Sequence, residues 1–349
     1  MKIDILTFAF AVNRGAHMQC YALQTVLANM GHDVEIIHVE LPSNGLSWKG
    51  KVDKFLLNMQ NFRFRKHFYS KISHKYRSAD ELRKNPPIAD VFIVGSDQVW
   101  NPAITQDFGA EAFFLDFAPQ GCRKIAYAAS FGTSVWTSLG KEKDEDIRSL
   151  VQLFDGVSVR ELSGIDICND IFSRKDAVSV IDPVFLLEDY TDIIGKPSKQ
   201  NGEIMCYPLC SNSETKDVFL EVARDLNLSA ISFSRSIRGS GVKVRLFSSI
   251  PGWLKAIAQS SFIVTNSFHC MAFCILFHKQ FVVTPPHLGK ESRMLSMLSL
   301  LGIKERYVTS MEDFQNRKCE LYKEIDYDCV DKRLRVLRGE SLKFLKDNL

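Results

Sequence analysis

The chain has 349 residues, 46% hydrophobic and 24% charged, with 44 Lys and Arg against 41 Asp and Glu. That length exceeds one comfortable core and predicts two domains, while the even charge argues against a nucleic-acid binder. Its nine cysteines are odd in number and scattered without CxxC pairs. No histidine cluster turns Cys206/Cys210 or Cys270/Cys274 into a zinc site, so the expectation is reduced thiols in a cytoplasmic protein and no metal.

Along the chain, strands alternate with helices. Asp4 interrupts the apolar run of MKIDILTFAF and no small-residue cleavage site follows, so residues 3–8 read as a first strand rather than a leader. Ala16, Cys20, Leu23, Leu27 and Met30 then recur at helical spacing, closed by Gly31. VEIIHV at 34–39 is the next strand. Residues 54–79 carry seven Lys/Arg and two His without an acid, interleaved with Phe55, Phe62, Phe64, Phe68 and Tyr69. Such a segment can lie peripherally on an anionic membrane, on the inner face for a cytoplasmic protein. The plainer reading is a solvated helical hairpin with its aromatics packed inward.

Short apolar runs follow at 91–94, 124–130, 157–159 and 177–181, suited to central parallel strands buried on both faces. GKPSKQNG at 195–202 has linker composition. Strands are expected again at 203–209, 229–234, 262–265 and 281–284, with a helix at 213–226 capped by Ser213. The domains expected are 1–194, with a basic helical insertion at about 50–85, and 203–330. A charged helix at 331–349 would be placed to pack back on the first domain. Two successive α/β units predict two Rossmann-like domains facing across a cleft. No stretch approaches the ~18 uncharged apolar residues of a membrane span.

In doubly wound sheets, ligands sit beyond the carboxyl ends of the strands, which singles out polar residues directly after them. Five places qualify: Asn13 to Ala16 with Gly15, Gly95 to Asn101 with Ser96, Asp97 and Gln98, Ser130 to Gly132, Arg160 with Glu161, and Asn266 to His269. Each has a plain structural reading as well. Asn13 and Gly15 can be a turn and cap, Asp97 a helix cap, Ser130 to Gly132 a tight turn, and Arg160–Glu161 a weak surface pair. With Asn266 as cap, His269 falls in the first turn of a helix, where free N–H groups attract anions. A buried histidine with a hydrogen-bonded ring is the equal alternative.

Six motifs together resemble the polysaccharide pyruvyl transferase family. They are the element holding Gly15, Ala16, Gln19, Tyr21, Ala22 and Leu23, GSDQVWN at 95–101, SFG at 130–132, VRE at 159–161, DPVFLL at 182–187 and TNSFH at 265–269. The resemblance runs from about residue 1 to 306 and includes Ser292–Arg293. It implies a fold like the GT-B glycosyltransferases and phosphoenolpyruvate as donor substrate, with no separate cofactor. The product it implies is a pyruvate ketal on a surface-polysaccharide sugar, either in the polymer or on its lipid-linked precursor. It carries the family's histidine onto His269 and its arginine onto Arg160. Cys270 stands where the family usually has glycine, Arg14 where it often has Tyr, and Ser267 where some members have Arg. A missing donor cation would then come from Arg235, Arg238, Lys243, Arg245, Lys290 or Arg293.

On this reading His269 is the acid at the phosphate end and Asp97 the acceptor-side base. Arg160, Asn266, Ser267 and Arg293 bind the donor, and Asn13, Gly15, Ser96, Gln98, Ser130 and Glu161 complete the site. The rivals are a GT-B glycosyltransferase using a nucleotide sugar and a non-catalytic sugar-binding relative in which Cys270 has spoiled the site.

Overall fold

Seven parallel strands build the first sheet: β1 (Lys2–Leu6), β2 (Asp33–Val39), β3 (Lys71–Tyr76), β4 (Val91–Val94), β5 (Arg123–Ala129), β6 (Gly156–Val159) and β7 (Val178–Ser179). Their order is β3-β2-β1-β4-β5-β6-β7. A second parallel sheet has the order β10-β9-β8-β11-β12, from β8 (Glu203–Tyr207), β9 (Ser229–Ser232), β10 (Val242–Val244), β11 (Phe262–Thr265) and β12 (Gln280–Val283). This computed structural model describes residues 1–41, 48–196, 200–210, 212–237, 239, 241–286 and 292–349, without the side chains of 48–54.

The chain divides into two compact units, Met1–Leu187 with Val336–Leu349, and Glu188–Arg335. The boundary precedes the 195–202 stretch, of which residues 197–199 lie outside the described residues. The end of the helix Tyr327–Asn348 belongs to the first unit. There Ser341 Oγ accepts from the Ile181 amide at 3.1 Å and Arg338 Nε donates to the Phe185 carbonyl at 2.7 Å.

Both sheets reverse direction of winding at one place, between β1 and β4 and between β8 and β11. In β4 and β11 all four residues are buried, as expected of strands covered on both faces. Leu6 pairs with Val94 at the carboxyl end of the first junction, and Tyr207 with Thr265 at the second. Loops leaving these four strands therefore define the ligand-facing end of each sheet.

Three local expectations are corrected. The 54–79 segment is not a helical hairpin: the helix Trp48–Phe68 is followed by strand β3. Two strands went unread, β3 and β10, and both are sheet edges. An edge strand can be short, lysine-bearing and one-sided, so it lacks the apolar signal of a central strand. Lys71 pairs with Asp33 at 2.6 Å and Lys75 with Glu40 at 2.6 Å on that edge. Finally, Asn212 rather than Ser213 caps the helix Ser213–Asp225, accepting from Thr215 N at 2.7 Å.

Candidate active site

In the first unit the loops after β1, β4, β6 and β7 are joined by a chain of buried hydrogen bonds. Gln19 Nε2 donates to Thr7 Oγ1 at 2.8 Å, and Thr7 Oγ1 donates to the Ser96 carbonyl at 2.9 Å. The Ser96 amide closes the ring by donating to Gln19 Oε1 at 3.1 Å. Ser96 Oγ lies 3.1 Å from Asp182 Oδ2, which also accepts from Arg160 Nη1 at 2.6 Å. Arg160 Nη2 then reaches Asp97 Oδ1 at 3.4 Å.

Arg160 is thus no surface pair: only 2% of its side chain is exposed, and it bridges two carboxylates. Burial alone would pull its pKa down, but Asp182, Asp97 and Glu161 outweigh that and hold it up. Glu161 points elsewhere. Its Oε1 accepts from the Phe131 amide at 2.7 Å, Ser130 Oγ at 3.0 Å and the Gly132 amide at 3.3 Å, so it anchors the SFG turn. Gly132 adopts φ +75°, a left-handed conformation that favours glycine, and a Cβ there would also displace the Gln98 side chain.

Asp97 is not the helix cap. Asn101 caps the short helix Pro102–Thr105, accepting from Ala103 N at 3.1 Å. Asp97 itself adopts φ +71°, a left-handed conformation that Asp tolerates better than most residues. That turn, closed by Val99 N donating to the Asp97 carbonyl at 2.8 Å, leaves the carboxylate beside Arg160. Asn13 caps the helix Arg14–Asn29 through Gly15 N at 2.9 Å, and no hydrogen bond among the described residues joins it to this network.

In the second unit the equivalent junction is neutral apart from its bases. Thr265 Oγ1 donates to the Tyr207 carbonyl at 2.6 Å and accepts from the Ser267 amide at 3.0 Å. Asn266 is not the cap either. Its Oδ1 accepts from Leu209 N at 2.6 Å and its Nδ2 donates to the Cys210 carbonyl at 2.9 Å, which ties the loop after β8 to the end of β11. Ser267 caps the helix Phe268–Leu276, accepting from Cys270 N. His269 still falls in the first turn, 5% exposed, its ring set edge-on to Phe268.

The Cys270 thiol is buried beside Cys274 and Cys206, where burial pushes both neighbours' pKa values well up. Arg293 is buried in the first turn of the helix Ser292–Leu301. Among the other cation candidates, Arg245 is taken up by Glu203 at 3.2 Å, Arg235 and Lys243 are exposed, and Arg238 and Lys290 lie outside the described residues. No group of three or more metal-binding side chains is found among the described residues.

The structure therefore brings Ser96, Asp97 and Arg160 together in one network, and Ser130, Gln98 and Glu161 around the neighbouring SFG turn. It places Asn266, Ser267 and His269 at the second junction. Asp182, Gln19 and Thr7 were missing from the expected site. Asp182 follows a strand directly and met the same criterion as the others. Gln19 carried a signal too, a polar residue on a buried helix position between Met18 and Cys20.

Two Rossmann-like units in sequence define a GT-B-like transferase fold, and solved structures agree at the level of fold. The chain resembles Arabidopsis thaliana UGT89C1 complexed with quercetin, at TM-score 0.53 and 10% identity, covering 98% of this chain and 94% of that one. It resembles a putative UDP-N-acetylglucosamine 2-epimerase from Listeria monocytogenes at TM-score 0.53 and 8% identity, covering 96% and 90%. No curated protein matches by sequence. The family model for polysaccharide pyruvyl transferase matches residues 13–287, from the cap of the first helix to just past β12, and the chain belongs to that family.

Proposed function

We propose that the chain transfers pyruvate from phosphoenolpyruvate to two hydroxyls of a polysaccharide sugar, forming a ketal and releasing phosphate. The family match over 13–287 carries this reading. Protonation of the donor methylene makes its neighbouring carbon electrophilic, one sugar hydroxyl adds there, phosphate leaves, and the second hydroxyl closes the ketal. Of the two hydroxyl protons, one balances the proton gained by the methylene and the other leaves with phosphate.

In the second unit, the first-turn amides of Phe268–Leu276 and His269 suit the phosphate, with His269 as the acid. Arg293 is the proposed cation there. In the first unit, Asp97 is the proposed base for the acceptor hydroxyl. Arg160, with its fork on Asp97 and Asp182, is a positioning residue in this reading rather than the donor-carboxylate ligand expected from sequence. Phosphate release from phosphoenolpyruvate, dependent on added saccharide acceptor, tests the reaction. Thermal stabilisation by phosphoenolpyruvate but not by UDP- or GDP-sugars is the expected companion result, and the reverse pattern would favour a nucleotide-sugar donor.

No helix among the described residues is long and apolar enough to cross a membrane. Contact with a membrane-borne acceptor is proposed through the helix Trp48–Phe68. Phe64 packs inward, but Phe55, Met59 and Phe62 are 64%, 54% and 58% exposed on one helical face beside Lys66. Replacing Phe55 and Phe62 with Ser is expected to weaken sedimentation with anionic vesicles; unchanged sedimentation would remove this contact.

A further inference from the structure

The loop after β1, residues 7–13, leaves the sheet beside the loop that carries Ser96 and Asp97, because β1 and β4 are paired. Thr7, at its base, already belongs to the buried ring at that junction through the Ser96 carbonyl. Ala9 is buried, whereas Phe10, Ala11, Val12 and Asn13 are half-buried at the ligand-facing end. A turn bond, from Ala11 N to the Phe8 carbonyl at 3.2 Å, closes inside the loop.

Further support comes from two helices. His17 is fully buried on the helix Arg14–Asn29, with Nε2 at 2.9 Å from the Ala11 carbonyl and Nδ1 at 2.9 Å from the Tyr69 hydroxyl. A carbonyl can only accept, so the proton sits on Nε2, and Nδ1 accepts from Tyr69. Burial holds the ring neutral by pushing its pKa down to about 3, so this donor persists at every pH near neutrality. Asn61, 3% exposed on the helix Trp48–Phe68, donates to the next carbonyl, that of Val12, at 3.3 Å. From the same helix the Arg65 guanidinium lies 5.4 Å over the Phe10 ring. Three successive residues, Phe10, Ala11 and Val12, are thus gripped by three different side chains. A buried His or Asn forgoes the burial gain of a Leu, and setting both on consecutive carbonyls fixes the path of the loop rather than filling space. Neither residue is among those that carry the family resemblance.

We propose that His17 and Asn61 are positioning residues, which set the loop after β1 as a wall of the acceptor site beside Asp97. Calling the bound molecule the acceptor rests on the pyruvyl-transfer reading, whereas the grip on the loop does not. That reading puts the donor anion in the second unit, so the loop should act on the acceptor alone.

Hydrogen exchange of the full chain without substrates tests the grip. His17→Ala and Asn61→Leu should each speed amide exchange over residues 8–13 by about tenfold and leave β1 and β4 unchanged. Asn61→Leu keeps the side-chain volume and frees a carbonyl on a half-buried residue, so it carries the test if His17→Ala folds poorly. Steady-state phosphate release, with a saccharide that supports it in the parent chain, tests the consequence. The acceptor KM should rise about tenfold, with kcat and the phosphoenolpyruvate KM within about twofold of the parent. His17→Gln, whose amide can still donate to Ala11, should recover most of that loss. The proposal is overturned by unchanged exchange over 8–13 in both variants, or by exchange that rises equally in β1 and β4. It is also overturned by a phosphoenolpyruvate KM that climbs with the acceptor KM, or by a Gln variant no better than Ala. A parent chain that releases no phosphate would count against the pyruvyl-transfer reading, while exchange still decides whether these residues hold the loop.

Discussion

The first unit buries four acids, Asp4, Asp97, Glu161 and Asp182, whereas the second buries none among its described residues. What the second unit buries instead are bases: His269, Lys279, Arg293 and Arg306. Arg306 is explained by structure, since it donates to the carbonyls of Leu321 and Lys323 at 2.7 Å each. His269 and Arg293 stand in the first turns of two helices, where backbone N–H groups add further positive potential. Two sheets with the same winding thus differ in what they bury: acids and bases together in the first unit, bases alone among the described residues of the second. In the first unit, charge is balanced internally and makes a rigid frame around Asp97. The second unit buries bases and no acid among its described residues, a balance that would favour the anionic donor proposed above.

The largest effect should come from breaking the internal balance. Arg160→Met leaves Asp97 and Asp182 buried without their shared cation, and should lower stability by about 3–5 kcal/mol in chemical denaturation. A loss below about 1 kcal/mol would mean the carboxylates are not held by it. His269→Ala removes the proposed acid and should cut phosphate release by about 10²–10⁴-fold while stability changes little. Comparable losses of stability in both variants would erase the contrast between the two units.

A smaller effect concerns Asp4, whose buried carboxyl has no hydrogen-bond partner, only Lys2 Nζ at 3.8 Å. Burial raises its pKa to about 7 from an ordinary value of 3.8. Because the folded value lies above the unfolded one, its stabilising contribution is full below the unfolded pKa. It is lost as pH rises through about 7. Asp4→Asn should flatten this part of the pH–stability curve and change stability at pH 8 by on the order of 3 kcal/mol relative to the parent. An unaltered slope would show that Asp4 does not titrate in this window.

Much of this architecture was legible in sequence wherever a strand was covered on both faces. VFIV and FIVT end where their apolar runs end, and the polar residues after them do mark the junctions. The edge strands β3 and β10 were not legible, because most of their residues are exposed or half-buried and neither carries an apolar run, unlike the edge strand β12. Neither were the partners of the site residues. Nothing in the spacing says that Arg160 turns to Asp182 while Glu161, its neighbour, turns to the SFG turn. Successive side chains leaving a strand point to opposite faces, and only the fold decides what waits on each. The cap at the second junction failed for a similar reason. Asn266 and Ser267 are both good caps, and Asn266 was drawn instead to the Leu209 and Cys210 backbone on a loop 56 residues or more away in sequence.

The central claim is the chemistry of transfer, and running the reaction in D2O tests it most directly. With phosphoenolpyruvate and a saccharide acceptor, mass spectrometry and NMR should find the acceptor carrying a pyruvate ketal. Its methyl group should hold one solvent deuteron, and the product should be missing when His269→Ala is used. An acceptor left unmodified by phosphoenolpyruvate but glycosylated from a nucleotide sugar would contradict the account.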